Sequence, residues 1–229
     1  MHDTDSKAAL PLTPDGTWCQ VLRRPAEKRS SRPALFLDRD GVVVEERHYL
    51  HTPDEVALVP GAAEVIRRAN LGGFPVVVVT NQSGIGRGYF TWPDFAATQE
   101  RILGDLAAEG AFIDAVLACP FHDSGEPPYD RTNHPWRKPN PGMLATASDL
   151  LGIACPRSWI VGDHATDVGA GRNAGLEGAV HVATGHGLHA GQRERALAHG
   201  TESFKVLACP SIREAAELIP FLNRKPDGR

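Results

Sequence analysis

The chain has 229 residues, of which 41% are hydrophobic and 23% are charged, and its formal net charge is -4. A chain of this length forms one α/β domain or at most two small ones, and it buries enough surface to fold without disulfide or metal staples. The mild negative charge argues against a dedicated nucleic-acid binder, which is usually basic, so we expect no nucleic-acid partner.

The cysteines and the apolar segments indicate in which cellular compartment the protein is expected. Four cysteines are widely scattered, form no Cys-x-x-Cys pair and do not resemble a secreted disulfide framework. The N-terminus lacks the basic and then apolar segments of a secretory signal, and no stretch approaches the roughly 18 consecutive apolar residues of a membrane helix. We therefore expect a cytoplasmic protein with no membrane partner.

Residues 1–32 are polar and rich in proline, lysine and arginine, and residues 18–22 are their only apolar patch. This composition predicts an N-terminal extension that is loosely docked or disordered. We expect one domain over residues 33–222 and a short tail over residues 223–229.

Apolar runs alternate with segments of helical spacing along the rest of the chain. The patterns predict strands at 34–37, 75–79, 112–118, 158–161, 179–183 and 205–208. They predict helices at 61–71, 92–109, 141–151, 168–174 and 211–222, and loop and helix at 187–200. Residues 120–137 contain four prolines and no apolar periodicity, so they are predicted to form a long loop. The alternation predicts an α/β fold with a doubly wound parallel sheet and helices on both faces.

Polar residues follow the predicted strands in a particular order. They are Asp38 and Asp40, Thr80, Lys138, Asp163 and Asp167. Ligands of an open parallel sheet bind beyond the carboxyl ends of its strands, so we expect these side chains at one edge. Three acidic groups without a matching basic cluster predict a Mg²⁺ site, because this ion prefers hard oxygen ligands. A lysine, a hydroxyl and a metal are the groups that stabilise charge on a phosphoryl group during its transfer.

Each of these residues has a simpler interpretation when it is taken alone. Asp-Arg-Asp-Gly is typical of a turn. Lys138 alone would be an ordinary surface lysine in contact with solvent, and Thr80 alone would be an ordinary β-branched strand residue. Their combination in this order favours phosphoryl transfer.

Four segments carry a resemblance to a known family: FLDRDGVV, VVVVTNQSGIGRG, RKPNPGM and VGDHATDVGAGRNAG. In order and spacing they resemble the four motifs of the haloacid dehalogenase-like (HAD-like) phosphatases. Their wording is most similar to the branch that contains heptose-bisphosphate and histidinol-phosphate phosphatases. The resemblance implies a Rossmann-like core with a minimal cap domain or none. The chain has room only for a small flap after Asp40 and for one helix, one strand and the long loop before Lys138.

The resemblance implies a role for each catalytic position. Asp38 matches the nucleophile that forms an aspartyl-phosphate, and Asp40 matches the general acid and base. Thr80 and Lys138 match the residues that grip the phosphate.

Metal positions are implied in the same way. Asp38, Asp163 and the backbone carbonyl of Asp40 match the ligands of Mg²⁺, and Asp167 matches a supporting carboxylate. His164 follows the metal-binding aspartate at a position where the family often has lysine.

Substrate contacts are implied at Asn81, Gln82 and Arg137. The glycine-rich residues 84–88 form either an anion cradle, together with Arg87, or a simple turn. Because Arg87 and Arg137 are available for a second phosphate, we expect a heptose bisphosphate as substrate, with histidinol phosphate or another small phosphomonoester as the alternative. We also expect a monomer.

Two interpretations from other classes remain. A phosphoacceptor signalling module also combines aspartates, threonine and lysine on a doubly wound sheet. In such a module an acidic pair follows the first strand, and the aspartate that accepts the phosphoryl group comes later. Here the Asp-x-Asp pair comes first, and a second acidic pair lies near the end of the chain. An inactive binding protein is disfavoured because every expected catalytic position is filled.

The resemblance also implies a structural Zn²⁺ in the long loop of close relatives, bound by a Cys-x-His pair and a Cys-x-Cys pair. Here Cys119 is followed by His122, one position late, and the second pair retains His134 but has no cysteine. A closed zinc site needs four ligands, so Asp123 or Asp130 would have to complete it. We therefore predict that this zinc is absent or much weakened.

Overall fold

The structure, a computed structural model, describes residues 9–24 and 32–223. The strands within these residues are β1 Trp18–Val21, β2 Leu35–Leu37, β3 Val76–Asn81, β4 Ala115–Cys119, β5 Trp159–Gly162, β6 Gly178–Val182 and β7 Lys205–Cys209. The helices are α1 Ala62–Leu71, α2 Ser83–Gly86, α3 Trp92–Ala108, α4 Gly142–Leu151, α5 Ala165–Asn173, α6 Gln192–Leu197 and α7 Ile212–Leu218. None of these helices is long and apolar enough to cross a membrane.

All the strands belong to one sheet, in the order β1-β4-β3-β2-β5-β6-β7. Every neighbouring pair is parallel except β1 and β4, which are antiparallel. The chain winds outward from β2 in both directions, through β3 on one side and β5 on the other. The predicted doubly wound parallel sheet is confirmed, and a ligand crevice is expected at the carboxyl end of β2.

The core lies on both faces of the sheet, which explains why the strands are continuously apolar. Leu35 and Leu37 of β2 pack into one apolar cluster and Phe36 into the other, since successive side chains of a strand point to opposite faces. All three are fully buried. A central parallel strand covered by helices on both sides requires this composition.

The N-terminal segment differs from the sequence-based prediction. Residues 9–24 are an ordered part of the domain, because β1 pairs with β4 along its whole length. Trp18 is 2% exposed and packs against the rings of Trp92 and Phe95, at centroid distances of 5.6 and 5.1 Å. Local composition missed this strand because its stability comes from pairing and burial against distant residues. The predictions for residues 1–8, 25–31 and 224–229 lie outside the described residues.

Two helix boundaries also differ, for local reasons. Helix α5 begins at Ala165 rather than at residue 168, because the side chains of His164 and Asp167 cap its first turn reciprocally. Helix α7 ends at Leu218 rather than at 222. Ile219 precedes a proline and is extended, as such residues prefer to be. Residues 120–137 contain no helix or strand, as predicted.

Candidate active site

A buried lysine lies at the centre of the site, at the carboxyl end of β2. The ammonium of Lys138 is 2.9 Å from Oδ1 of Asp38 and 2.6 Å from Oδ1 of Asp167, and it donates to the carbonyl of Val79 at 2.8 Å. Its side chain is 1% exposed. Burial lowers the pKa of Lys138, but the carboxylates of Asp167 and Asp38 outweigh burial and raise it above its ordinary value. The lysine therefore remains a cation and holds both carboxylates in place.

Asp38 is positioned by the sheet itself. It directly follows β2, and its backbone N–H donates to the carbonyl of Val161 in β5 at 3.0 Å. Its Oδ1 also accepts from the N–H of Arg39 at 2.7 Å. The carboxylate is therefore fixed between two strands, with part of its surface open to the crevice.

Two loops pack closely against the carboxylate of Asp163. Its Oδ2 accepts from the backbone N–H of His186 at 2.7 Å. Gly41 and Gly185 have φ angles of 77° and 48°, and a Cβ at either position would collide with Oδ2 of Asp163. Glycine is required at both places, because the backbone is in the left-handed region and lies against the carboxylate.

The acidic cluster fits a divalent cation. Carboxylate oxygens of Asp38, Asp163 and Asp167 all lie within 4.8 Å of one another. Burial, and then the charges of Asp167, Asp163 and Asp40, raise the pKa of Asp38 well above its ordinary value despite the nearby Lys138. A further cation would relieve this repulsion, and hard oxygen donors suit Mg²⁺. The chemistry of the donor set therefore fits this ion.

Asp40 is held apart from that cluster by its own network. Arg39 is 1% exposed and donates from Nε and Nη2 to the carboxylate of Asp40, with the shortest distance 2.9 Å. Nε2 of Gln82 lies 2.9 Å from Asp40 Oδ2 and 2.8 Å from Thr80 Oγ1. Because Thr80 accepts from Gln82, its own hydroxyl proton is available to a ligand. Gln82 thus links the carboxylate to the threonine.

Arg39 and the residues of the flap had no role in the sequence prediction. Arg39 lies between two aspartates in an otherwise apolar segment, and such a charge is rarely buried without a partner. That pattern could have indicated its role.

The predicted substrate residues lie in different places. Asn81 exchanges two hydrogen bonds with the backbone of Lys138, at 3.0 and 3.2 Å, so its amide positions the lysine. Arg137 lines the crevice and donates to the carbonyl of Phe121 at 3.0 Å. Arg87 lies behind the crevice wall, where it contacts the hydroxyl of Tyr49 at 2.9 Å. The structure therefore brings one of the two predicted arginines to the crevice.

The glycine-rich residues 84–88 contribute to a short helical turn. The N–H groups of Ile85 and Arg87 donate within this turn, to Gln82 and Ser83. A Cβ at Gly84 would collide with Phe90. Close packing also explains Gly86, where a Cβ would collide with the carbonyl of Pro120, and a φ angle of 72° explains Gly88. Of residues 84–88, Gly84 alone lines the crevice, next to Ser83.

The crevice has a volume of about 290 Å³. Its lining residues are Asp38, Arg39, Asp40, Glu46, His48, Tyr49, Leu50, Thr80, Asn81, Gln82, Ser83, Gly84, Arg137, Lys138, Asp163, His164, Thr166, Asp167 and His186. Sequence reasoning missed the flap residues Glu46, His48 and Tyr49 and the opposite residue His186. A cluster of charged and aromatic residues just after the Asp-Arg-Asp-Gly turn was the available signal.

Glu46 and His186 face each other across the mouth of the crevice. Oε2 of Glu46 is 3.7 Å from Nδ1 of His186. Burial, and then the charge of Asp40, raise the pKa of Glu46 to about 7. The carboxylate of Asp163, whose Oδ2 lies 3.6 Å from Nδ1 of His186, raises the pKa of His186 to about 9. The mouth therefore combines one acidic and one basic group.

Comparison with known proteins gives consistent results. Residues 135–208 match the HAD-hydrolase-like family. A protein of Mesorhizobium japonicum named D-glycero-beta-D-manno-heptose-1,7-bisphosphate 7-phosphatase is 48% identical over 166 residues, which is 72% of this chain and 76% of the relative. The protein of the same name from Escherichia coli K12 is 39% identical over 155 residues, covering 68% of this chain and 81% of the relative.

Solved structures agree with the sequence relatives. A HAD-like phosphatase from Mesorhizobium loti is 39% identical, with a TM-score of 0.82 over 95% of this chain and 100% of that chain. The D,D-heptose 1,7-bisphosphate phosphatase of B. bronchiseptica, complexed with magnesium and phosphate, is 30% identical, with a TM-score of 0.67 over 81% of this chain and 97% of that chain.

Proposed function

The chain belongs to the HAD-like phosphatases, and from this premise we propose that it removes the 7-phosphate of D-glycero-D-manno-heptose 1,7-bisphosphate in a Mg²⁺-dependent reaction. The observation that carries the proposal is the buried Lys138, which lies between the carboxylates of Asp38 and Asp167 at the carboxyl end of β2. This arrangement provides a nucleophile beside a fixed positive charge, as phosphoryl transfer requires.

In the proposed reaction, the carboxylate of Asp38 attacks phosphorus and forms an aspartyl-phosphate. Asp40 gives a proton to the oxygen of the departing sugar and then takes one from the water that hydrolyses the intermediate. Arg39 and Gln82 orient the carboxyl of Asp40 for both steps. The hydroxyl of Thr80 binds a phosphoryl oxygen.

The cation belongs between the acidic side chains. Asp38 and Asp163 would hold Mg²⁺, with the backbone carbonyl of Asp40 and with support from Asp167. When bound, the ion neutralises charge on the phosphoryl group and on the attacking carboxylate. Lys138 provides the remaining positive charge, and its ammonium stays protonated throughout the reaction.

The choice of substrate rests on Arg137 and on the names of the relatives. Arg137 lines the crevice, and its guanidinium fork suits a second phosphate. Histidinol phosphate offers no second phosphate to this group, and it remains the second candidate because of the motif wording.

The test is phosphate release by purified protein from heptose 1,7-bisphosphate and from histidinol phosphate, with Mg²⁺ and with excess EDTA. We expect a higher kcat/KM for the bisphosphate and no turnover in EDTA. Asp38→Asn should fold and lose activity on the order of a thousandfold or more. Asp149→Asn, at an exposed position of α4, is the control with the same change of charge and should retain activity. Turnover by Asp38→Asn at the wild-type rate would refute the mechanism, and a preference for histidinol phosphate would reverse the choice of substrate.

A further inference from the structure

The long loop that ends at Arg137 is fastened to the N-terminal turn. His134 is 2% exposed, and its Nε2 lies 3.1 Å from Oδ2 of Asp15. Its Nδ1 accepts from the backbone N–H of Trp136 at 3.1 Å. This network assigns the proton to Nε2, which therefore donates to Asp15. Both ring nitrogens of the histidine are thus occupied by partners from the protein.

These contacts do not fit the zinc site that the family resemblance implies for this loop. The ring of Phe121 stacks on that of His134, with centroids 3.9 Å apart and planes 5° apart. Sγ of Cys119 is 3.8 Å from Nδ1 of His134, but this nitrogen already accepts from the N–H of Trp136. His122 faces Arg87 at 2.9 Å. A closed zinc site needs four ligands, whereas both ring nitrogens of His134 and of His122 have partners in the protein. Among the described residues, this loop brings no three histidine, cysteine or acidic side chains together as a metal site would.

We propose that Asp15 is a positioning residue that fixes the long loop, and with it Arg137, in the place of the zinc of the relatives. The contacts run continuously from the turn to the crevice. The carbonyl of His134 accepts from the N–H of Arg137 at 2.9 Å and from Nδ2 of Asn140 at 2.9 Å. Displacement of His134 therefore displaces the arginine that lines the crevice.

The carboxylate of Asp15 is itself held rigidly. Its Oδ1 accepts from the hydroxyls of Thr13 and Thr17. Burial raises the pKa of Asp15, but its hydrogen bonds from Thr13, His134 and Thr17 outweigh burial and lower it. Asp15 is therefore ionised at neutral pH and acts as a fixed acceptor for the histidine.

A second contact joins the same two segments. A Cβ at Gly16 would lie 3.0 Å from the ring of Tyr129, so the turn packs directly on the loop. The hydroxyl of Tyr129 accepts from Nε1 of Trp92 at 3.2 Å, and its carbonyl accepts from the N–H of His122 at 3.1 Å. The turn before β1 thus contacts the loop at two points, through a hydrogen bond and through an aromatic ring.

The test compares Asp15→Asn with the Asp149→Asn control, in full-length protein. The backbone N–H of Thr17 and the hydroxyls of Thr13 and Thr17 favour the amide oxygen of an asparagine at the place of Oδ1. Its NH2 group would then face the donating Nε2 of His134, and the contact would be lost without a change of shape. We expect faster amide hydrogen exchange in residues 120–137 of the variant. We also expect the KM for heptose bisphosphate to rise about tenfold, as when a hydrogen bond to a charged group is lost. The kcat, and the KM for p-nitrophenyl phosphate, should change by less than about twofold, because this substrate has no second phosphate to bind Arg137.

Unchanged exchange and unchanged KM in Asp15→Asn would overturn the proposal. Near-stoichiometric zinc in protein purified without a histidine tag, lost in Cys119→Ala, would also overturn it. If Asp15→Asn does not fold, the same measurements are made on His134→Asn. This variant keeps an acceptor for the N–H of Trp136 but loses the contact to Asp15. The kinetic readout rests on the proposed function, whereas hydrogen exchange does not. Wild-type protein that released no phosphate would refute the function and leave the exchange result to decide on Asp15.

Discussion

Single residues of this site work through fixed partners. Arg39 is buried, yet its charge is matched by the carboxylate of Asp40, which it contacts from two nitrogens. Breaking a buried pair of this kind leaves an unmatched charge, which costs more than the pair contributes. Arg39 therefore restricts Asp40 to one orientation toward the crevice, and Gln82 also donates to Oδ2 of this carboxylate.

Glu46 provides a prediction about pH. Its side chain is 26% exposed, and burial and Asp40 raise its pKa from 4.5 to about 7. The folded protein then binds this proton more tightly than the unfolded chain does, so stability falls as pH rises from about 4.5 to about 7. We expect the melting temperature of the metal-free wild type to fall over this range relative to that of Glu46→Gln, because the contributions of the other titrating groups cancel in this difference.

Scanning calorimetry in EDTA at a series of pH values checks this expectation. Glu45→Gln is the matched control, because that neighbouring side chain is 47% exposed and pairs only with Arg47 among the described residues. The same pH slope in wild type and Glu46→Gln would contradict the prediction.

At the scale of elements, the loops after β2 and β6 converge on Asp163. Gly41 and Gly185 let these loops lie against the carboxylate, as their positive φ angles and absent side chains require. The geometry of the acidic cluster is thus determined by backbone that only glycine permits.

We predict that Gly41→Ala weakens metal binding as well as stability. A residue other than glycine in the left-handed region costs roughly 1–2 kcal/mol, and here its Cβ would also displace Asp163. Displacement of a ligand should weaken Mg²⁺ binding by about tenfold or more. Urea unfolding and calorimetric titration with Mg²⁺ measure the two effects.

Gly152→Ala separates these effects. Gly152 has a φ angle of 66°, and nothing lies within 4 Å of its absent Cβ. This variant should lose stability to the same conformational cost and bind Mg²⁺ as the wild type does. Equal Mg²⁺ affinity in the two alanine variants would show that Gly41 does not support Asp163.

At the scale of the whole molecule, β1 extends the sheet beyond the parallel core. It covers the edge of β4 and carries the turn that contacts the long loop. An exposed edge strand is open to pairing with other chains, and β1 closes this one. The N-terminal segment therefore contributes to the stability of the fold and contacts the loop that carries Arg137.

Trp18→Ala tests the contribution of this strand to stability. Trp18 is 2% exposed between Trp92 and Phe95, so its truncation should lower the free energy of unfolding by about 3–5 kcal/mol. Leu22→Ala, at a side chain 37% exposed just after the strand, should cost no more than about 0.5 kcal/mol. Urea denaturation measures both values, and equal losses would show that β1 is only loosely attached.

The sequence by itself determined the parallel core and the meeting of the candidate site residues in one crevice. Apolar runs such as residues 34–37 and 75–79 predicted buried strands, which the structure contains at Leu35–Leu37 and Val76–Asn81. The order of Asp38, Thr80 and Asp163 predicted that they share one crevice, and they do. Both results follow from local rules, because burial on two faces sets strand composition and parallel strands bring their carboxyl ends to one edge.

Only the tertiary structure decided which side chains meet across long sequence separations. It placed Arg137 in the crevice and Arg87 behind Tyr49, although both arginines lie within phosphatase-like motifs. It joined Asp15 to His134, and it made an ordered strand of residues that composition assigned to a loose extension. Local composition carries no information on such contacts, since their free energy comes from burial and hydrogen bonding between segments that only the folded sheet brings together.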